Sequence, residues 1–571
     1  LGRRSAPPFR VSAGLEEKDH LDLVQFGWTR DSASSPAFQL RYGYSVAHLD
    51  TAPASPPVAP PVIGLLDGSV VGPPPLGNLA IRTAHNFAST IRPQPLAAAR
   101  THHRLGAALS FRQALARNRF SAPFDLHRIT FADRPSTLLQ LNTPLDSRAN
   151  VASLLMNASH AARWTGWFST NVALAADLSR GWLPAQSSPS GAFAPARRFP
   201  ERRGLISWHS FEPAFSFALT PPTFRRLTLR ASLARRHYPL AARYLDYANR
   251  NSLSGTEFQW TAAGPGLLLR RFGGQYSSID PSLRRPYVNQ VDLVASCRIP
   301  AGLAARLTLF RHDTRNRLAA LASGPAYSLR TIHDPGGDFI QGTPDDQLLP
   351  VYEQIRDTFG SDRFLLTNTG HGAFSKGLIA ELRGRHGSLS WRLSFVAEKA
   401  FGITGPGNGP SDNDPGVVGS LLSDPNSLLN AAGRAFFDRA YIAKLSASYQ
   451  APARFGRFEL GTVVNYFDGL PFARKLFIPD LAQGPFYVLA TPRGSPEGGH
   501  RTQYHLAWDL RVARSFSLRR GSLRLLADLF NLPNLGNNLR ENDLSGPLFE
   551  QRLPLAVQPP RHARFAVEYA F

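Results

Sequence analysis

The chain has 571 residues, of which 43% are hydrophobic, and its formal net charge is +23. A mean hydropathy of −0.20, with no run of roughly 18 uncharged apolar residues, excludes a membrane protein built from helices. The single cysteine, Cys297, excludes an internal disulfide.

Almost all of the positive charge is arginine, since the chain has only five lysines. A nucleic-acid-binding protein usually gathers its basic residues in one patch, tail or stripe. In this chain they are spread along the whole sequence. Arginines that line a wet lumen and the strand ends, near anionic lipid headgroups, account better for charge that is spread in this way. We therefore expect no nucleic-acid partner, and a soluble basic β protein that binds nucleic acid remains the less favoured alternative.

The first fifty residues predict a β-hairpin. Val24, Phe26 and Trp28 alternate with polar residues on one strand, and Phe38 to Val46 alternate in the same way on the next. The following stretch, Thr51–Ala80, holds eight prolines and is predicted to be a long loop. Further alternating segments predict strands at 227–233, 389–397, 441–449, 458–466, 506–512 and 523–531.

The last predicted strand runs from His562 to the terminal Phe571 and is apolar at every odd position. About ten residues is the length at which a tilted strand crosses a bilayer. Connections between the predicted strands alternate between short turns and long loops, which is typical of outer-membrane barrels. The sequence therefore predicts an all-β fold, an antiparallel transmembrane outer-membrane β-barrel. A soluble β-sandwich or propeller is the alternative, but its strands average about 5–6 residues.

No catalytic motif is present, so no enzyme activity and no cofactor are predicted. Asp412, Asp414 and Asp424 could gather oxygen ligands for calcium. The alternative for these carboxylates is a solvated loop, and we predict no metal site beyond these weak candidates.

The C-terminal part of the chain resembles a known family. The specific element is Asp528-Leu529-Phe530-Asn531, within a stretch that continues Leu-Pro-Asn, and Pro492-Arg493-Gly494 and Ile279-Asp280-Pro281 agree with it. These motifs resemble the C-terminal barrel of TonB-dependent receptors of the Oar-like group, which carry a carboxypeptidase-regulatory-like N-terminal domain. The resemblance covers residues 1–571 as one barrel domain and is strongest over 270–571.

This resemblance implies a 22-stranded barrel, with the N-terminal sandwich, the plug and the first strands outside this chain. It implies a location in the outer membrane of a Gram-negative bacterium and uptake of a large or scarce solute, such as an oligosaccharide, a peptide or a metal chelate. The implied partners are outer-membrane lipid and lipopolysaccharide, the barrel-assembly machinery, for which Phe571 would be the signal, and the TonB complex, reached through the plug. A passive porin, or an adhesion or secretion barrel, is the alternative.

Overall fold

The computed structural model describes residues 2–5, 15–30, 37–53, 62–64, 81–94, 106–122, 127–130, 137–191, 194–261, 264–403, 424–435, 437–452, 458–494 and 500–570. One antiparallel sheet dominates these residues and contains nineteen strands. One of the nineteen, Ala432–Arg434, pairs only with the end of a longer strand. The predicted all-β antiparallel fold is therefore confirmed.

The other eighteen strands follow one another around the sheet, each paired antiparallel with the next in the chain. They are β1 (Gly2–Ser5), β2 (Leu15–Arg30), β3 (Ala37–Pro53), β4 (Ile81–Gln94), β5 (Gly106–Ala122), β6 (Leu145–Arg163), β7 (Phe168–Leu183), β8 (Arg202–Leu219), β9 (Leu227–His237), β10 (Tyr287–Ile299), β11 (Leu303–Arg315), β12 (Ala373–His386), β13 (Leu389–Ile403), β14 (Tyr441–Gln450), β15 (Phe458–Phe467), β16 (His505–Leu518), β17 (Gly521–Phe530) and β18 (His562–Ala570).

Several strands are longer than the predicted ten residues. Strand β6 has 19 residues and β8 has 18. Their ends carry buried side chains, such as Leu145 and Trp208, which a strand exposed to lipid or water on both faces would not have. The alternation of apolar and polar residues marks the part of a strand that crosses the bilayer. It does not mark the part beyond those ten residues, because that part is buried by contacts with residues distant in sequence.

The two faces of the sheet differ in chemistry. On β10 to β13 one face presents large apolar side chains that are strongly exposed, among them Leu293, Leu309 and Phe395. The residues between them on the same strands include Arg298, Arg306 and Arg392. Because successive side chains of a strand point to opposite faces, one face suits lipid and the other suits an aqueous lumen. We call the second the lumenal face.

The connections alternate in length, as the sequence predicts. Short connections join β6 to β7, β8 to β9, β10 to β11, β12 to β13 and β16 to β17, so they share one rim of the sheet. Long connections follow β7, β9, β11, β13, β15 and β17 at the opposite rim. No helix among the described residues is long and apolar enough to cross a membrane.

The long connections carry secondary structure of their own. Their strands are Val62–Gly64, His127–Thr130, Thr137–Leu141, Gln186–Ser188, Arg197–Phe199, Ser254–Thr261, Gly264–Gly273, Ser277–Ile279, Leu318–Ser323, Tyr327–Asp334, Gln347–Gln354, Arg363–Asn368, Lys475–Ile478, Phe486–Leu489, Asn538–Glu541 and Pro554–Val557. One α-helical turn spans Pro547–Glu550, and 3-10 turns span Ala242–Ala248, Gly274–Tyr276, Arg356–Thr358 and Pro425–Leu428. A further 3-10 turn, Pro222–Phe224, lies at the short rim between β8 and β9.

Apolar burial is concentrated at this long-connection rim. Leu245, a fully buried residue of the turn Ala242–Ala248, belongs to one apolar cluster with Leu183 and Trp208. A second cluster joins Val351 and Val488, both fully buried, from two different connections. The long connections therefore form a folded layer with its own cores, which we call the rim layer.

Candidate functional site

Ion pairs with little access to solvent tie the rim layer together. Arg474 and Asp334 are 5% and 0% exposed, and the guanidinium donates to both carboxylate oxygens at 2.8 and 2.6 Å. Arg474 also donates to the Gly336 carbonyl oxygen and to the Ser545 hydroxyl. One side chain thus joins three long connections, those after β11, β15 and β17.

A second buried carboxylate, Asp438, joins two further segments. Its Oδ2 accepts from Arg501 at 2.6 Å, and its Oδ1 accepts from the backbone N–H of Ala400 at 2.6 Å. Arg501 also donates to the Gly469 carbonyl oxygen. This pair fixes the connection after β13 against the connection after β15.

A network of neutral polar groups holds the rim layer above β6 and β7. Asn249 and Asn251 are both fully buried. Asn249 accepts from the Gln186 amide at 2.8 Å and donates to the Ser147 hydroxyl, while Asn251 accepts from the Ser188 hydroxyl at 2.7 Å. Buried amides of this kind cost free energy unless they are hydrogen bonded, so the network specifies one arrangement of these connections.

His500 lies between two aromatic rings of the rim layer. Its ring centroid is 5.7 Å from that of Phe472 and 5.4 Å from that of Phe549. Burial, together with the nearby charges of Arg474 and Arg552, lowers the pKa of His500 below its ordinary value. The surroundings of the ring therefore favour its neutral form.

Of the three calcium candidates, only Asp424 lies among the described residues. Its carboxylate accepts from the backbone N–H of Asn426 at 2.8 Å and so caps the turn Pro425–Leu428. Burial raises the pKa of this carboxyl, which weakens it as a cation ligand. Asp412 and Asp414 lie outside the described residues. Among those described, no three His, Cys, Asp or Glu side chains are grouped to hold a metal ion.

Two of the motif residues that carry the family resemblance lie on the lumenal face of β17. Asp528 accepts from Arg511 on β16 at 2.6 Å and from Arg564 on β18 at 2.6 Å. The Phe530 ring stacks on His562, with the ring centroids 4.7 Å apart. These contacts bind three consecutive strands at the C-terminal end of the sheet.

The third motif residue, Asn531, directly follows β17 in a left-handed conformation with φ of 51°. Its side-chain amide donates to the carbonyl oxygens of Leu535 and Pro559, and its backbone N–H donates to Asp509. Asparagine tolerates this conformation better than most residues. The motif thus closes the base of the last long connection.

The terminal Phe571 lies outside the described residues, so its role as an assembly signal stays a prediction. The predicted ligand-contacting loops are covered in part. Asp468–Gln503 is described except for 495–499, Phe401–Arg439 except for 404–423 and 436, and Thr51–Ala80 only at 51–53 and 62–64.

The lumenal face carries a cavity of about 810 Å³ beside the short-connection rim. Its charged lining residues are Arg383, Arg385, Arg392, Arg511, Glu459, Asp509 and Asp528. Ser390, Ser446 and Ser448 add hydroxyl groups. Apolar residues, among them Trp391, Val463 and Phe530, also line the cavity, so its wall is both charged and apolar.

Sequence reasoning did not find the buried ion pairs of the rim layer. Asp334 and Arg474 are 140 residues apart, and neither lies in a pattern that marks it as buried. Arg493, which belongs to the Pro-Arg-Gly stretch that carries the resemblance, is also buried, with 1% of its surface exposed.

No family model matches the sequence, and no curated protein matches it. Solved structures share its architecture, and they include the two transporters described next. The outer membrane transporter YddB from Escherichia coli aligns over 99% of this chain and 64% of its own, with a TM-score of 0.60 and 10% identity. The ferric citrate transporter FecA aligns over 97% of this chain and 61% of its own, with a TM-score of 0.52 and 10% identity. The chain therefore has the fold of an outer-membrane β-barrel and spans less than two thirds of either structure.

Proposed function

We propose that this outer-membrane barrel belongs to a receptor that imports a large or scarce solute using energy supplied by the TonB complex. The fold shared with YddB and FecA supports a transporter. The Asp528 to Asn531 motif supports the narrower assignment to TonB-dependent receptors of the Oar-like group. The solute is an oligosaccharide, a peptide or a metal chelate in this proposal.

The observation that carries the proposal is the folded rim layer. Its connections are joined by the Arg474–Asp334 and Arg501–Asp438 pairs and by the buried amides of Asn249 and Asn251. A surface that is already ordered loses little conformational entropy when it binds a ligand. The described part of the rim layer therefore suits capture of a dilute solute. From the sequence, we propose ligand contacts in the segments Phe401–Arg439, Asp468–Gln503 and Thr51–Ala80.

The proposal requires segments beyond this chain. A barrel this wide is plugged in outer-membrane transporters, and in the family that this chain resembles the plug makes the contact with TonB. Among the described residues, β18 pairs only with β17, and most of β2 pairs only with β3. In lipid such edges must be satisfied. We therefore include further strands in the complete receptor, and the family resemblance adds a plug and an N-terminal sandwich to the proposal.

The test compares cells that carry the full-length gene with cells that lack it. Both are grown in a complex medium, and solutes removed from the medium are identified by mass spectrometry. We expect at least one solute to be depleted only by cells with the receptor, and its depletion to stop when a protonophore collapses the proton gradient.

Depletion that continues without the proton gradient, or without a functional TonB, would contradict active import and favour a passive porin. Recovery of the full-length protein in the soluble fraction without detergent would contradict the membrane assignment itself.

A further inference from the structure

Five arginines meet on the lumenal face of four consecutive strands. They are Arg298 on β10, Arg306 on β11, Arg383 and Arg385 on β12, and Arg392 on β13. We call them the arginine cluster. The pairing register fixes their neighbourhood, because Arg298 lies opposite Ala304, Ala304 lies opposite Arg383, and Arg383 lies opposite Arg392.

The cluster faces away from lipid. The residues that alternate with it on the same strands are large and apolar, and they are strongly exposed. Leu307 is 42% exposed, Leu382 is 41% exposed and Leu393 is 38% exposed. Because neighbouring side chains alternate between faces, all five guanidinium groups project from the lumenal side.

Among the described residues, the cluster carries more positive charge than its neighbouring carboxylate, Glu381, can neutralise. Glu381 lies opposite Arg306 in the pairing register. Arg392 pairs with Glu381 at 2.5 Å. Within the part of the chain that the structure describes, the side chains of Arg298, Arg306, Arg383 and Arg385 form no ion pair or hydrogen bond. Arg383 and Arg392 lie directly opposite each other on neighbouring strands. Like charges in such positions are destabilising.

The lumenal arginines of the C-terminal strands β16 to β18 that follow are paired with carboxylates. Arg511 and Arg564 share Asp528, and Arg524 donates to Glu459 at 2.6 Å. The cluster therefore differs from the lumenal wall formed by the C-terminal strands, where each of these guanidinium groups has a carboxylate.

The centre of the cluster has no bulky side chain. Ala304 lies between Arg298 and Arg383. Gly302 lies in the turn before β11, and its carbonyl oxygen accepts from the backbone N–H of Arg385. Neighbouring strands are about 4.8 Å apart and alternate residues about 6.7 Å apart. A small-residue floor surrounded by guanidinium groups at these spacings leaves room for oxyanions between them. Gly302, Arg383, Arg385 and Arg392 also line the 810 Å³ cavity.

We propose that the arginine cluster binds the phosphate or carboxylate groups of an anionic solute inside the lumen. Guanidinium groups donate paired hydrogen bonds to such oxyanions, and several spaced groups favour a solute with at least two of them. This inference rests on the proposed import function and narrows its solute to an anionic one.

The test uses full-length protein purified from outer membranes in a zwitterionic detergent at low salt. Calorimetric titration employs pyrophosphate and citrate as the two oxyanion probes and maltotriose as the neutral control. The double variant Arg298→Gln/Arg383→Gln should bind both anions about tenfold more weakly or worse. The matched control is Arg230→Gln, which removes an exposed lumenal arginine on β9 that lies outside the cluster.

A variant of opposite sign keeps the test decisive if the double variant fails to fold. Glu381→Gln frees Arg392 from its carboxylate, so anion binding should become about threefold tighter. Equal weakening by Arg230→Gln would reduce the effect to diffuse lumenal charge and would overturn the cluster as a site. The cluster would also be overturned as a site if anion affinity stayed unchanged in both the double variant and Glu381→Gln. Binding of maltotriose as tight as that of the anions would overturn it as well.

Site-resolved modification separates a solute from a protein occupant. Phenylglyoxal should modify Arg383 in the free protein, and pyrophosphate should protect it, as read from peptide masses. An Arg383 that is already protected without the probe would mean that an acidic protein segment covers the cluster, which overturns the solute site.

Anion binding that persists although import proves independent of TonB would contradict the proposed function alone. Active import without anion binding would contradict this inference alone.

Discussion

At the scale of single residues, the rim layer depends on arginines whose importance follows from their burial. Arg474 and Arg330 both pair with an aspartate at 2.6 Å. The Arg474 side chain is 5% exposed and its partner Asp334 is 0% exposed, while Arg330 and Asp480 are 36% and 60% exposed. Removing the arginine should therefore destabilise the protein far more at the buried Arg474–Asp334 pair than at the exposed Arg330–Asp480 pair.

We expect Arg474→Gln to destabilise the rim layer by about 3–5 kcal/mol, because it leaves Asp334 buried without a counter-charge. Arg330→Gln is the control and should cost less than about 1 kcal/mol, since exposed pairs contribute little. Amide hydrogen exchange in Tyr327–Asp334 and Gln347–Gln354 measures both. Similar exchange rates in the two variants would show that burial of the Arg474 pair is not what stabilises this layer.

A pH dependence follows from His500. Its pKa in the folded protein lies below the ordinary value of 6.5, so folding favours the neutral ring. The stability that this preference contributes is present above pH 6.5 and is lost as the pH falls through the folded pKa. We expect the contact of His500 with Phe472 and Phe549 to loosen in mild acid.

His500→Phe should keep the aromatic packing and remove this acid sensitivity. Amide exchange in Asp468–Gln503, corrected for the intrinsic effect of pH on exchange, compares the variant with the unmodified protein. Acid loosening that is equal in both would assign the effect to another group.

At the scale of elements, the register of each strand decides which side chains meet lipid. The sequence predicts Leu506, Trp508, Leu510 and Val512 on one face of β16, and Asp509 and Arg511 on the other. The structure places them on opposite faces and adds that Arg511 is held by Asp528. The terminal strand shows the same division, with Phe565 80% exposed and Arg564 bound to Asp528.

Strand β11 offers a matched test of this division. Leu309 is 45% exposed on the lipid face, and Thr308 lies next to it on the lumenal face. Leu309→Arg should destabilise the barrel by about 2–4 kcal/mol if it lies near the bilayer midplane, whereas Thr308→Arg should have a small effect. Unfolding in urea from lipid vesicles measures both changes. An equal loss in the two variants would mean that the register of β11 is wrong.

At the scale of the whole molecule, the alternation of short and long connections sets the orientation in the membrane. Outer-membrane barrels turn short connections to the periplasm and long ones to the outside. The rim layer should therefore face the medium, and the cavity beside the arginine cluster should lie toward the periplasmic side.

Cysteine labelling in whole cells checks this orientation in a Cys297→Ser background. Gln341→Cys, in the long connection after β11, should react with an impermeant maleimide. Ser388→Cys, in the short turn between β12 and β13, should react only after the cells are opened. Both positions are exposed, so accessibility within the protein is matched. The reverse pattern would invert the proposed topology.

The sequence alone determined the fold class, the lipid-facing stripes and the alternation of connection lengths. These are local properties, because a period of two along one strand places Leu510 and Arg511 on opposite faces whatever the neighbouring strands are. It also indicated the Asp528 to Asn531 motif, although not that Asp528 joins β16 to β18.

Only the tertiary structure decided the rest. The Arg474–Asp334 pair, the buried amides of Asn249 and Asn251 and the arginine cluster each assemble residues from distant segments. Whether an arginine is neutralised depends on which strand lies beside it and in which register. Arg383 and Arg511 look alike in the sequence, yet Arg511 has a carboxylate opposite it and Arg383 has another arginine. That difference is a property of strand pairing, which no local pattern contains.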